Sequence, residues 1–451
     1  MLGKIVESLK YFNFKMYVAL MVLAFLPTIY TTLRIYFIGQ LPSEYSYSIA
    51  GQLSWVNLLF EIIQEAIILP LFYFIGEAIH QIKELTNRVK TGLLVSFIIY
   101  TVLAIAIIIL IHPLLNWMSV SPEIQAESAT YIRIEVIANI FSTLVNFILV
   151  VLITISKEKY LYIFTFMKVV LCILVDVFLV SNLKFSLNLG VNGIGYSNII
   201  VNIILLICSL YILKFEGISI FNKDKMSFGW MSSFAKKGLV SGFESLIRNY
   251  AYMAMISKMV NVVNEQGTYW VANNFIWGWL LIPITQLGEL IKKDCGTDKD
   301  SVRKLSLGYY AITIIVCILW FITIPLWKPF MTYVLDYTEV DTLYTLVLVL
   351  IGFYVLYAIQ NVFDSTFYGL GKIWYMFFES VVTNSIFYGI AYILYKLNVW
   401  KPTLYGIALL FGLGNAFDSV VSFLAYVFLL KRENINIFDV NNKGEEKKIE
   451  I

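Results

Sequence analysis

Charge is what this sequence has little of: Asp, Glu, Lys and Arg make up 14% of its 451 residues, against roughly 25% in a soluble domain. A chain this long with so few charges is not built for water. Histidine is nearly absent. His80 and His112, both at the ends of apolar runs, are the only two, which argues against histidine-based catalysis or a histidine proton relay. The four cysteines, Cys172, Cys208, Cys295 and Cys317, form no CxxC or CxxH pair, so neither disulfides nor a metal site is expected. No histidine or paired acidic motif of the kind a membrane enzyme needs stands in a loop, and no catalytic residue is assigned. The first fifteen residues, with Lys4, Lys10 and Lys15, lack a short apolar core followed by small residues. They read as a cytoplasmic arm rather than a cleaved signal. The net charge of +3 says little by itself, and no nucleic-acid partner is expected.

What the sequence does have is apolar length. Hydrophobic residues reach 59% and the mean hydropathy is +0.78, as expected of an all-α integral membrane protein. A helical crossing needs about 20 apolar residues, and runs bounded by charges or Gly/Pro fall near 16–39, 52–78, 91–115, 129–155, 160–182, 190–213, 235–259, 269–291, 305–327, 342–368, 373–396 and 403–430. Twelve crossings leave no room for a sizeable soluble domain. Lysines and arginines crowd the even-numbered connections, among them Lys83, Arg88, Lys90, Lys157, Lys159, Lys223, Lys236, Lys237, Lys292, Lys293, Arg303 and Lys304. The odd connections hold only Lys184, Lys258, Lys328, Lys396 and Lys401 beside acids such as Glu44, Glu123 and Asp336. Basic loops stay in the cytoplasm, so both termini are expected there, in the cell membrane, and the number of crossings is even.

Short stretches recur in the same order. Ala50-Gly51-Gln52-Leu53-Ser54-Trp55 returns as Ala272-Asn273-Asn274-Phe275-Ile276-Trp277, Lys157 to Tyr162 as Leu370 to Tyr375, and Gly193-Ile194-Gly195 as Gly406-Ile407-Ala408. The offsets are 222, 213 and 213 residues. Each match is weak, but together they make a parallel repeat of six crossings. The expected division is a first lobe at 1–215, a connection at 216–236, a second lobe at 237–432 and a charged tail at 433–451 without regular structure. Two parallel halves enclose a cleft, and rocking one half against the other exposes it alternately to each side.

The residues resemble the multidrug and toxic compound extrusion (MATE) family of the multidrug/oligosaccharidyl-lipid/polysaccharide flippase superfamily. The matching stretches are Ile35-Tyr36-Phe37-Ile38-Gly39, Gly193-Ile194-Gly195, Gly242-Phe243-Glu244 and Tyr368-Gly369-Leu370-Gly371-Lys372. The resemblance implies twelve transmembrane helices in two pseudo-symmetric six-helix lobes. It also implies export of organic, often cationic, compounds in exchange for sodium ions or protons. The chain departs from the family twice. Arg34 stands where many members carry an aspartate in the first segment, and Tyr357 near where some sodium-coupled members place one in the tenth. Glu244 matches the glutamate those members carry in the seventh, which points to the second lobe for coupling and to Glu244 for sodium.

Ionisable groups inside apolar runs mark sites, because each costs about 2.5–3.5 kcal/mol at the bilayer centre on insertion scales. Here they are Arg34, Glu61, Glu65, Arg133, Glu135, Lys168, Asp176, Glu244, Arg248, Asp364, Glu379 and Asp418. Acids outnumber bases, which favours a cationic or zwitterionic solute. Glu61 and Glu65 share a helical face. Either their mutual repulsion lets one bind a proton or cation, or one pairs with Arg34. Glu244 and Arg248 are also four apart, as an ion or substrate site or as a helix pair. Asp364, Gln360 and Asn361 offer hard oxygen ligands for sodium. Lys168 and Asp176 lie eight residues apart on one face, and each is expected to find a partner across or along the helices, with a substrate role as the alternative. Arg133 and Glu135 are expected to snorkel, and Glu379 and Asp418 to satisfy each other or backbone groups.

Tyr250, Tyr252, Trp270, Trp277 and Trp279 gather around the seventh and eighth segments, where they either pack or hold an organic cation. Pro27, Pro70 and Pro283 interrupt helices. The function expected is an ion-coupled exporter working as a monomer in the bilayer on a small organic solute, without a cofactor. The alternative is a flippase for a lipid-linked precursor, with Arg34, Arg133, Lys168 and Arg248 as pyrophosphate ligands. A channel suits a parallel twelve-helix repeat less well.

Overall fold

A computed structural model describes residues 2–157, 159–221 and 224–440. Met1, Glu158, Asn222, Lys223 and the tail from Asn441 onward lie outside the described residues. A short helix, α1 (Leu2–Lys10), precedes twelve long ones: α2 (Phe14–Gly39), α3 (Ser46–Ala78), α4 (Ile82–Trp117), α5 (Pro122–Thr154), α6 (Lys159–Leu179), α7 (Val191–Phe215), α8 (231–262), α9 (266–297), α10 (Ser301–Tyr333), α11 (Val340–Gly369), α12 (Ile373–Lys396) and α13 (Leu404–Arg432). The expected arm Met1–Lys15 is thus partly helical. Ten of the twelve are long and apolar enough to cross a membrane by composition. The other two, α8 and α9, carry several polar residues on the face that lines the interior, such as Glu244, Arg248, Asn273 and Asn274, and a helix that lines a cavity need not be apolar all round. This is a multi-pass membrane protein.

The lobes are α2–α7 and α8–α13, and each repeats the same packing. In the first, α5 lies on α7 and α4; in the second, α11 lies on α13 and α10. The lobes meet through exchanged pairs, α3 against α8 and α2 against α9, as a pseudo-two-fold axis requires. Gly238 and Gly242 let α8 come close to α3. A Cβ on Gly238 would run into the Ala66 carbonyl, and one on Gly242 would sit 2.9 Å from the Ala66 side chain. Small residues four apart are what allow helices in lipid to approach this closely.

At the end of the bundle carrying the odd connections, the lobes are tied by buried amides. Gln52 donates to Asn261 Oδ1 at 2.8 Å, Asn261 donates to the Met118 carbonyl at 3.0 Å, and Gln266 donates to the Gly51 carbonyl at 2.8 Å. Gln52 belongs to the first copy of the recurring stretch, so the repeat meets its partner lobe there. At the opposite end the chain crosses over. Ser8 of α1 donates to the Lys304 carbonyl at 2.7 Å and accepts from the Gly308 N–H at 2.9 Å, so α1 docks on the second lobe. Conversely, Trp230 at the start of α8 donates to Thr91 Oγ1 of the first lobe at 3.0 Å.

Three helices contain a π-helical turn, at Met253–Ser257, Ile276–Leu280 and Thr383–Tyr388. All belong to the second lobe. A π turn frees carbonyls from the helical ladder, and two of them find side chains: Thr28 donates to the Gly278 carbonyl at 3.0 Å and Trp320 to the Leu280 carbonyl at 2.9 Å. Pro283 follows the second of these turns, at the start of a new helical segment, while Pro27 and Pro70 lie inside continuous helices.

Replacing Gly238 by Leu is expected to force α8 off α3 and lower the detergent-solubilised melting temperature by several degrees, whereas Gly352→Leu, where nothing stands within 4 Å of the new Cβ, should leave it unchanged. Equal melting of the two variants would remove the close approach from the account of the lobe interface.

Candidate functional site

A cleft of about 980 Å³ lies between the lobes, walled by α2 and α3 on one side and by α8, α9, α11, α12 and α13 on the other. Its second-lobe wall follows helical spacing. Tyr357, Gln360 and Asp364 recur at i, i+3 and i+7 along α11, and Asn415, Asp418 and Ser422 do the same along α13, so each set forms one stripe. Because α11 and α13 pack together, the stripes face each other, and α12 adds Glu379 and Thr383.

The side chains knit into one network. The Gln360 amide donates to Glu379 Oε1 and to Asp418 Oδ2, both at 2.7 Å. Thr383 donates to Asp418 Oδ1 at 2.6 Å, Ser419 to Gln360 Oε1 at 2.8 Å and Ser422 to Asp364 Oδ1 at 2.6 Å. None of the three carboxylates forms an ion pair among the described residues. Glu379 is 2% exposed and its Oε2 has no hydrogen-bond partner. Glu379 and Asp418 do come together as expected, bridged by the Gln360 amide, and with Asp364 they form a cluster that no base neutralises among the described residues. Gln360 and Asp364 are brought together as expected, but Asn361 is not. Its amide donates to the Ile284 carbonyl of α9 at 2.8 Å, so it leaves the proposed sodium set.

A second charged group joins the lobes. Arg248 of α8 reaches Glu65 at 2.6 Å and Glu61 at 3.3 Å on α3, and Glu244 on its own helix at 3.3 Å. Three carboxylates thus share one guanidinium. Glu61 and Glu65 take Arg248 and not Arg34 as partner, a pairing that no spacing within α3 could reveal. Glu61, Glu244 and Arg248 all line the cleft, together with Trp270, Trp277, Tyr357 and Phe411. The Trp277 and Tyr357 rings stand edge to face at 5.6 Å.

The third group lies inside the first lobe, around a side cavity of about 250 Å³. Arg34 donates to Asp176 at 2.6 and 3.2 Å and to Asn198 Oδ1 at 2.8 Å, and Asn198 donates to both oxygens of Glu135 at 2.9 and 3.0 Å. The pair across helices expected for Asp176 forms with Arg34, whereas Lys168 has no such pair among the described residues. Nor does Glu135 snorkel. It is 1% exposed, facing α7, and only Arg133 beside it reaches partial exposure. Here the aspartate position of the resembled family, taken by Arg34, has become the basic partner of a buried acid.

Removing one member of the Arg34–Asp176 pair leaves a buried charge alone, at a cost of about 3–5 kcal/mol. Arg34→Met should therefore lower the melting temperature sharply, and Arg34→Met with Asp176→Leu should recover most of it. Equal destabilisation by the single and the double variant would show that the pair is not what holds α2 to α6.

No protein-family model and no curated protein sequence matches the chain. Solved structures do. An inward-facing multidrug resistance MATE family transporter of the MOP superfamily is 17% identical over 92% of this chain and 95% of its own, with a TM-score of 0.73. An outward-facing one is 16% identical over 94% and 97%, with a TM-score of 0.69. A MOP superfamily transporter from Pyrococcus furiosus, described as having a binding pocket of reverse polarity, is 17% identical over 94% and 97%, with a TM-score of 0.64. The chain has the twelve-helix, two-lobed fold of the MATE transporters of the MOP superfamily.

Proposed function

We propose that the chain is a secondary transporter of the cell membrane, with both termini cytoplasmic, that exports positively charged organic solutes in exchange for protons or sodium ions. The observation that carries this reading is the Asp364–Glu379–Asp418 cluster, three acids on the cleft wall with no base. Carboxylates held away from water without a counter-charge are costly, so the cluster attracts a cation. A proton or a loosely held monovalent ion suits it better than a divalent one, because no three His, Cys, Asp or Glu side chains among the described residues converge tightly enough to hold a metal ion.

The solute binds beside this cluster. Glu61, Glu65 and Glu244 outnumber Arg248, and the aromatic rings of the cleft offer π-faces to an organic cation. Since Glu61 and Glu65 belong to one lobe and Arg248 to the other, the group also bears on how the lobes sit together. A cation that binds one arrangement of the lobes better than the other shifts their equilibrium toward it. Alternating access follows when the coupling ion and the solute favour opposite arrangements. The buried amides at the odd-connection end, taken here as the outer one, keep that end shut in the structure, consistent with the greater likeness to an inward-facing relative.

Purified protein in liposomes, given a panel of organic cations with a proton or a sodium gradient imposed separately, tests the proposal. One gradient should drive accumulation, and Glu379→Gln with Asp418→Asn should abolish the drive. Normal gradient-driven transport by that double variant would end the assignment of the cluster to coupling. Glu244→Gln is expected to weaken solute binding about tenfold, the equivalent of about 1.4 kcal/mol for one lost charge interaction. Cation-independent movement of a lipid-linked precursor, with none of the cations carried, would favour the flippase instead.

A further inference from the structure

A groove of about 980 Å³ lies on α10, α11 and α13 of the second lobe and shares no lining residue with the central cleft. Its floor is a packed set of rings. Phe363 lies 4.8 Å from Tyr426, 5.9 Å from Phe423 and 6.1 Å from Tyr310, centroid to centroid. Ile314 and Phe423, on its walls, are exposed, as apolar side chains are where a spanning helix meets lipid tails. From Phe423 to Lys431 the groove follows α13 for eight positions. At 1.5 Å per residue that is about 12 Å, close to one leaflet's half of a hydrocarbon core about 30 Å thick.

The mouth of the groove lies at the end of the bundle that carries both termini. There α1 contributes Ile5, and residues 434–438, which follow α13, fold over the opening. Lys4 of α1 donates to the Phe438 carbonyl at 2.7 Å and ties the two together. Lys431 is the one charged residue among those that line the groove, is exposed, and forms no ion pair or hydrogen bond among the described residues. The acid two positions on, Glu433, is taken by Lys372 at 2.8 Å. Asn436 stands at the same mouth, where its side-chain carbonyl accepts from the Phe438 N–H at 3.0 Å and its amide is left to donate.

We propose that this groove holds one membrane phospholipid with an anionic headgroup, its acyl chains laid along α10, α11 and α13 and its phosphate at Lys431 and Asn436. The distribution of polarity selects that occupant. A groove that is apolar along its length and basic only at the membrane surface matches an amphiphile with an anionic head. Seated there, the lipid touches α1, which leads into the first lobe, together with three helices of the second.

The full chain, stripped of lipid in mild detergent and mixed with phosphatidylglycerol or with phosphatidylcholine of the same acyl chains, provides the test, with binding read by native mass spectrometry. One phosphatidylglycerol should bind about fivefold more tightly than phosphatidylcholine, the preference that one lysine near the surface gives an anionic headgroup. Lys431→Gln should bring that ratio to about one and Lys431→Arg should keep it. Because Lys431 is exposed, neither change bears on folding. Lys214→Gln, at the same end of α7 in the first lobe, should leave the ratio as it is. Ala311→Phe, which fills the groove without altering its charge, should weaken both lipids together. Equal binding of the two lipids by wild type, an unchanged ratio in Lys431→Gln, or full binding of both by Ala311→Phe overturns the site. Lipid binding that appears only once residues 441–451 are removed assigns the groove to the tail, and a dimer that binds no lipid there and is broken by Ala311→Phe assigns it to a second copy. Either result overturns the proposal as well.

Discussion

The bilayer gives a buried charge neither water nor a counter-ion, and the arrangement of this protein follows from how its intramembrane charges meet that constraint. In the first lobe Arg34 pairs with Asp176, and Asn198 carries the chain of short hydrogen bonds on to Glu135, which fastens α2, α5, α6 and α7. At the lobe interface the balance is partial, with three carboxylates on Arg248. In the second lobe it is absent, and Gln360, Thr383, Ser419 and Ser422 offer only neutral donors and acceptors to three acids. The gradient from paired to unpaired charge runs across the cleft.

The backbone follows the same division. The first-lobe helices are continuous apart from the step at Gln52 in α3, and their polar groups are turned inward to one another. The π turns at Met253–Ser257, Ile276–Leu280 and Thr383–Tyr388 all lie in the second lobe, two of them among residues that line the cleft. Each adds one residue to a turn and rotates everything beyond it. That rotation lets Thr383 point at Asp418 while Tyr388 still faces the cleft. The helices that pay least heed to lipid, α8 and α9, are also the two whose composition alone does not mark them as membrane spans.

Contacts between the lobes are of two physical kinds. Close backbone approach at Gly238 and Gly242 and the ion pairs of Arg248 join α3 to α8, while buried amides such as Gln52 and Asn261 seal one end of the cleft. Ionic and amide contacts re-form readily with new partners, whereas a close glycine contact tolerates sliding or rotation of one helix on the other. A joint of this composition permits a change of angle between the lobes without unfolding. The crossovers at the other end, α1 onto α10 and Trp230 onto α4, attach the segment leading into each lobe to the partner lobe.

The sequence by itself determined the membrane setting, the twelve crossings and the six-plus-six repeat. Apolar length, the bias of lysine and arginine between connections and the offset of 213 to 222 residues are properties that read along one dimension. It also named every charge that matters, since an ionisable residue in an apolar run stands out wherever it ends up, and the i, i+4 contact of Glu244 with Arg248 was legible because it closes within one helix. Only the tertiary structure decided the partners. Asp176 took Arg34, Glu61 and Glu65 took Arg248 rather than Arg34, and Glu379 joined Asp364 and Asp418, because these contacts cross from one helix to another over 19 to 187 positions. Helical periodicity fixes which face a residue occupies, but the neighbour that meets that face is set by how the helices pack.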